Sequence, residues 1–599
     1  MGMMDKIATG WTGMFAWRGA MSATRADVWL LLALLAGVFV QGVMFLMGFS
    51  CSGWPMWLSF SAVAIMLVVS DKTVFARFGL LTALCLVLTA YSFSYTGGDS
   101  MSYHFPMQDL LRRGWNPVYT ATVEDFRELN LIGGRTMGML HTLFLPRLNA
   151  LCGALVGAST GLFVADAFLN YAMVLVLLFT AYDFSRRFWG VGKALSALFS
   201  FSVTFTTKFS AFLTGYVDYL TYAGILIMLF SSVLYLRERC VGDFVVFVSA
   251  FLVAALAKST GLVVSALVGI CLVPCLWKDK RFWAACCLAA VYVAVVGFSP
   301  FVTSWLNYGC PLYPMVSFSS AHPPIDITSD FTGNPDALKM GYVARSVYAW
   351  VSPWLAEKAC ALVYGKPDFN PVFTVYGGVC GFGTMFRLLL LASVAALLLS
   401  KKNMVTAICC FLIVTTLATP LKYIGYSRYF LQVWAIPSLA LFNLAACPIV
   451  QLAKCRFAPA LRLAALSVPV LVALFCAART LAFNGRCLAL ESRRQAAIEK
   501  LKGESVRWRS DGACENSYVL SRRLNVAGIE YCCETGIGGT APVLSYAPQH
   551  IWASAENAKE EAESVESEFF IANSIGDLFR FPWLKAYSSF PKVLWSGFN

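Results

Sequence analysis

The sequence predicts an α-helical polytopic membrane protein, and three observations carry that prediction. Of 599 residues, 58% are hydrophobic and 13% charged, about half the ~25% charged share of a soluble domain. Apolar stretches of about 20 residues recur along the chain, each long enough to cross a ~30 Å hydrocarbon core as a helix, and the mean hydropathy is +0.67. Lys and Arg gather in short loops between those stretches, so the net charge of +13 reads as control of membrane orientation and not as a nucleic-acid surface.

About 13 spans are predicted, at 27–48, 54–70, 74–95, 158–182, 190–207, 212–236, 243–260, 262–277, 282–304, 372–399, 403–419, 428–450 and 460–483. No small-residue cleavage site follows a short apolar core near the start, so the first run is expected to stay as a span. With the N-terminus in the cytoplasm, the basic loops "DKTVFAR", "DFSRRFWGVGK", "RER", "KDKR", "KK" and "KCR" all fall on the cytoplasmic side, as the positive-inside rule requires. Inserting the apolar segment 136–157 as a further span would invert the later loops. It also carries His141, Pro146 and Arg147, which are costly in hydrocarbon. It is therefore expected to lie along the outer interface or dip into it.

This topology divides the chain into a transmembrane module, 1–484, with external loops at about 96–157 and 305–371, and a small exported α/β domain, 485–599. The expected location is a bacterial inner membrane, multi-pass, with the C-terminus periplasmic. The exported part holds Cys487, Cys514, Cys532 and Cys533, in a compartment that permits disulfides; a bridge from Cys514 to either Cys532 or Cys533 is an open expectation. Most other cysteines sit in apolar runs and read as small hydrophobes. No CxxC…CxxC spacing is present, and Asp326, Asp330 and Asp336 lack the regularity of a metal loop, so no cofactor is implied.

Polar chemistry concentrates just after the third span, in "GGDSMSYHFPMQDLLRRGWNP". Gly97 and Gly98 allow a sharp turn, Asp99 then stands at the membrane surface, and a short helix is predicted over 105–113, opened by Pro106 and stopped by Gly114. Met107, Leu110 and Leu111 share one face of it; Gln108, Asp109, Arg112 and Arg113 share the other. The simplest local reading is a helix on the bilayer surface, with Asp99 as a cap and the arginines on headgroups. Further ionisable groups argue for more. Asp166 lies near the outer end of the fourth span, Asp218 lies just inside the sixth, Lys258 stands at the outer end of the seventh, and Lys422 and Arg428 stand at the outer end of the twelfth. Such groups cost about 2.5–3.5 kcal/mol each on insertion scales and mark functional sites by default. All are predicted at one external interface, where they would surround a shared cavity.

These pieces, together with "GYVDY", "AKSTGL", "NYGCPLYP" and "SRYFLQVWAIP", resemble in their order the GT-C superfamily of polytopic glycosyltransferases, which includes protein O-mannosyltransferases and lipid A aminoarabinose transferases. The likeness spreads over about 95–437; the exported part resembles nothing nameable. It implies a polyprenyl-phosphate or diphosphate sugar donor, an acceptor lipid, glycan or protein, and inverting transfer at the external face. By that likeness Asp99 is the general base and Arg428 holds the lipid phosphate, with Lys258 as a helper; Lys422, Arg112 and Arg113 are further phosphate-binding candidates by their position. Asp166 and Asp218 are second-acid candidates, and His104 and Tyr103 orient acceptor or loop. Two departures stand out: two spans precede the one leading into the acidic loop where many relatives have one, and Asp99–Ser100 replaces a consecutive Asp-Glu. They leave the branch and any divalent-metal requirement open.

The chemistry fits the residues independently. A hydroxyl needs a base within hydrogen-bond reach, and a departing phosphate needs Arg in bidentate geometry. No GxxxxGK[ST] loop is present, consistent with a lipid-linked donor in place of a nucleotide. Two other classes compete: a transporter or flippase of lipid-linked glycans, and a cell-envelope assembly protein. A transporter would show internal repeats with helices broken at the midplane, and no repeat is seen. An assembly protein leaves the charged groups without a common purpose.

Overall fold

The structure is a computed structural model, which describes residues 25–91, 104–120, 122, 142–144, 146–162, 164–205, 217–313, 317, 318, 320, 384–400, 404–418, 432–446, 459, 460, 462–478, 481, 506–510 and 531–535. The membrane part is a helical bundle: α1 Ala26–Leu46, α2 Trp54–Ser70, α3 Lys72–Ala90, α4 Phe105–Arg112, α5 Leu148–Thr160, α6 Phe168–Phe184, α7 Lys193–Phe205, α8 Asp218–Glu238, α9 Val241–Ala257, α10 Ser259–Leu276, α11 Lys280–Val296, α12 Thr303–Tyr308, α13 Thr384–Leu399, α14 Met404–Ala418, α15 Ala435–Ala446 and α16 Arg462–Ala478. Each predicted span overlaps at least one of these helices. Five are long and apolar enough to cross a membrane: α1, α3, α6 with its π-turn to Trp189, α8 and α10; α11 and α12 make a sixth if their bent pair is one span. The protein is thus a helical chain with several membrane-competent helices. Two short strands, β1 Val506–Ser510 and β2 Tyr531–Thr535, pair in parallel with Val506 opposite Tyr531.

The apolar pattern decides what each helix faces. Every residue of α8 from Asp218 to Tyr235 is buried, because the helix is apolar all round and needs protein on every side; α6, α9 and α10 supply it. By contrast, α2, α3, α10 and α13 leave large apolar side chains exposed, among them Ile65, Val69, Leu80, Ile270 and Leu391. Water penalises such a surface, and lipid tails accept it. Exposed tryptophans flank this apolar band, Trp54, Trp57 and Trp305 at one end and Trp277 and Trp283 at the other, the pattern of interfacial anchoring.

Ion pairs show which helix ends lie together. Arg25 bridges Asp27 and Asp183 at 2.8 and 2.9 Å. Arg187 joins Glu238 and Asp243. Tyr235 donates to Asp279, which also lies 3.7 Å from Arg239. These contacts gather the start of α1, the end of α6, the α8–α9 turn and the α10–α11 turn at one end, matching the side on which the sequence places their basic loops. At the opposite end, Asn116 Nδ2 donates to the carbonyls of Phe45 and Phe49, both 3.0 Å, and Ser159 Oγ donates to the Gly53 carbonyl at 2.9 Å.

Three expectations are corrected. The fourth span, read as 158–182, begins at Phe168: α5 runs to Thr160 and stops at Gly161, whose φ of +79° is the left-handed conformation that favours glycine. The ninth, read as 282–304, breaks after Val296, and the segment Phe298–Tyr308, which ends in α12, leaves α11 at 77°; a Cβ at Gly297 would meet the Val293 carbonyl oxygen at 2.6 Å. The helix over 105–113, read as lying on the bilayer, is inside the protein. All of Phe105–Leu111 is buried: Gln108 and Arg112, from its polar face, sit against Gly153 and Gly157 of α5, itself buried from Leu148 to Gly157, while Met107, Leu110 and Leu111 join the apolar core.

Candidate functional site

The polar side chains opposite the ion-paired end define the candidate site. Asp218 is the first residue of α8, and Lys258 is the single extended residue (φ −155°, ψ 146°) between α9 and α10. Because α8 and α9 run antiparallel, the start of one meets the end of the other, and Lys258 Nζ forms an ion pair with Asp218 Oδ1; the two side chains are 16% and 6% exposed. The corner is tight because Gly261 has no side chain: a Cβ there would stand 2.1 Å from the Ala254 carbonyl oxygen. The positive end of the α8 dipole also favours the Asp218 carboxylate.

A second polar group is built where α4 crosses α5. The small pair Gly153 and Gly157, four residues apart, leaves a groove of the kind that lets backbones approach. A Cβ at Gly153 would meet Gln108 Oε1 at 2.7 Å and the Asp166 Cα at 2.8 Å; one at Gly157 would meet the Leu162 oxygen at 2.9 Å. In this groove Gln108 Oε1 accepts from the Ala165 N–H at 3.4 Å, and Arg112 Nη1 donates to the Leu162 carbonyl at 3.0 Å. Asp166 and His104 are 1% and 4% exposed. The chain turn before α6 thus carries Asp166 beside the helix that follows the Asp99 loop, and Arg113 points outward, exposed.

Of the residues singled out in the sequence, the structure pairs Asp218 with Lys258, brings Asp166 against the α4–α5 groove with Gln108, and holds Arg112 on the same turn. Asp99, Tyr103, Lys422 and Arg428 lie outside the described residues, as do Asp326, Asp330, Asp336 and the side chains of Cys532 and Cys533.

Arg147 was not singled out as a site residue in the sequence. It is 5% exposed. Its Nε and Nη2 donate to the Thr142 carbonyl at 3.3 and 3.2 Å, Nη2 also to the Leu143 carbonyl, and Nη1 to Ser299 Oγ. The guanidinium stacks over Trp115, 5.0 Å from the ring centre. Burial pushes its pKa down to about 9, so it stays charged at neutral pH. The signal in the sequence was the arginine's cost in hydrocarbon, and the Gly153-xxx-Gly157 spacing was the signal for the groove.

Comparison of the chain with protein-family models, with curated proteins and with solved structures returns no match.

Proposed function

We propose that this protein is a membrane glycosyltransferase that moves a sugar from a polyprenyl-phosphate or diphosphate donor to an acceptor hydroxyl at the external face of a bacterial inner membrane, with inversion. In this reading the full chain has about 13 spans, the 485–599 segment is exported, and the ion-paired end faces the cytoplasm. Asp99 takes the proton from the acceptor hydroxyl. That oxygen attacks the anomeric carbon, the bond to the phosphate oxygen breaks, and the departing phosphate is held by Arg428, with Lys422 beside it. Lys258, oriented by Asp218, raises the positive potential at this end. Asp166 and His104 adjoin α4, the helix that follows Asp99 and Tyr103 in the chain.

The observation that carries the reading is the gathering of buried charge at one end of a lipid-facing bundle: Asp218 with Lys258, and Asp166 beside Gln108 and Arg112. Ionisable groups in such a bundle cost free energy, and a donor that is half lipid, half anion supplies a reason to keep them where spans meet water. Transport of lipid-linked glycans is the weaker reading, because transporters break helices near the midplane, whereas α11 breaks at its end.

The test is product formation by membranes carrying Asp99→Asn. Transfer is expected to be lost while insertion stays intact; wild-type product would sink the base assignment. Arg428→Ala is expected to raise the donor KM above all, and normal product at limiting donor would exclude the phosphate role. In cells lacking the protein, a polyprenyl-phosphate sugar is expected to accumulate, and its mass names the sugar.

A further inference from the structure

Arg147 lines a small cavity, open at its mouth, together with Ser299 and the apolar side chains of Phe45, Leu111, Val295 and Val296. Phe45 closes α1 and Val295–Val296 close α11, so the cavity lies at the end of the bundle opposite the ion-paired cluster. No carboxylate lies within 4 Å of the guanidinium among the described residues. Its neighbours are two backbone carbonyls, one hydroxyl and one aromatic face, and these use four of its five N–H groups. The fifth, on Nη1, has no acceptor there. This is the only side chain among the nine lining residues that carries charge.

A buried guanidinium without a counter-ion is costly, and removal of that cost requires an anion. Every other arginine whose ion pairs are given above, Arg25, Arg187 and Arg239, has its carboxylate within the protein. Arg147 has none among the described residues, yet it is fixed in place by Trp115, Thr142, Leu143 and Ser299. The apolar walls would repel a fully hydrated small anion and suit the alkyl chain of an amphiphile.

We propose that this cavity binds the phosphate group of a lipid, with Arg147 and Ser299 as its ligands and Phe45, Val295 and Val296 against the first carbons of the chain. The phosphate accepts the free Nη1 hydrogen and can share the Ser299 hydroxyl; no covalent step is involved. The site goes beyond the glycosyltransferase reading, shares no residue with the Asp218–Lys258 pair, and stands or falls without it. A bilayer phospholipid and a polyprenyl phosphate offer the same chemistry.

The experiment titrates the purified, delipidated full chain in detergent with three phosphate probes and one control, read by native mass spectrometry. The probes are phosphatidylglycerol, undecaprenyl phosphate and inorganic phosphate; the control is undecaprenol, which lacks the phosphate. Saturable binding of either phosphate lipid, at least about tenfold tighter than the alcohol, is expected, and which of the two wins identifies the source. Arg147→Met keeps an unbranched apolar stem without the guanidinium and its charge and is expected to lose about 10- to 100-fold, the worth of a charge-assisted hydrogen bond. Val296→Phe narrows the apolar wall, leaves the arginine in place and is expected to weaken both lipids while inorganic phosphate stays weak throughout. The proposal is overturned if wild type binds undecaprenol as tightly as undecaprenyl phosphate, if inorganic phosphate alone matches the lipids, or if folded Arg147→Met or Val296→Phe binds like wild type. Loss of glycosyl transfer in Asp99→Asn with lipid binding intact separates the two readings.

Discussion

Replacing Lys258 by Met tests whether the Asp218–Lys258 pair is a structural unit. Asp218 is left 6% exposed with no cation within bonding range among the described residues. Removing one partner of a buried pair costs about 3–5 kcal/mol, because the other charge stays desolvated. The start of α8 returns part of that, about 0.3–2 kcal/mol through the helix dipole, so the net loss is about 2–4 kcal/mol. Asp218→Asn is milder, about 1–2 kcal/mol: the amide still fits at the helix start, and the long Lys258 stem can carry its ammonium towards water. The double variant leaves no buried charge and is expected near wild type, so the double-mutant cycle should give a coupling of about 3–6 kcal/mol, the sum of the two single losses. The assay is the unfolding midpoint of the purified full chain in one detergent, for all four proteins. Losses that simply add, with the double variant lowest, would refute the reasoning and mean that the two side chains are stabilised by separate surroundings.

The Gly261 corner predicts that Gly261→Ala, 2.1 Å from the Ala254 oxygen, yields mostly aggregated protein on size exclusion, whereas Gly269→Ala on the same helix, where a Cβ meets nothing within 4 Å, leaves the monodisperse peak intact and gains up to about 1 kcal/mol. Gly153→Ala pushes Gln108 and Asp166 apart from α5 and is expected to lower sugar transfer more than it lowers the amount of folded protein; unchanged transfer would exclude the groove from the site. The Arg147 pKa of about 9 lies below its ordinary 12.5, so above about pH 9 the unfolded chain binds more protons than the folded one. Stability of wild type relative to Arg147→Met is therefore expected to rise between pH 8 and 10, by at most about 1.4 kcal/mol per pH unit, and unfolding midpoints at the two pH values measure it.

The sequence by itself determined that the chain is helical, roughly where most of the helices in the described residues are, and which of their ends lie together. Both follow from local quantities: about 20 apolar residues form a helix wherever they stand, and "SRR", "RER" and "KDKR" mark alternate helix ends with no knowledge of packing. It also placed Asp218 and Lys258 at one end, since that needs only counting spans. The tertiary structure alone decided that they touch, because the corner at Lys258 and the missing side chain of Gly261 set a contact between residues 40 positions apart. It alone buried α4. A helix with Met107, Leu110 and Leu111 on one face has the same pattern on a bilayer as against other helices, since lipid and protein interior are equally apolar; the groove at Gly153 and Gly157, which takes in Gln108 and Arg112 from its polar face, chose between them. The bend after Val296 brought Ser299 to Arg147 across 152 positions, and thereby turned an arginine that is costly in hydrocarbon into one held in a cavity. Hydropathy is a sum over neighbours in the chain, and a site is a meeting of residues distant in it.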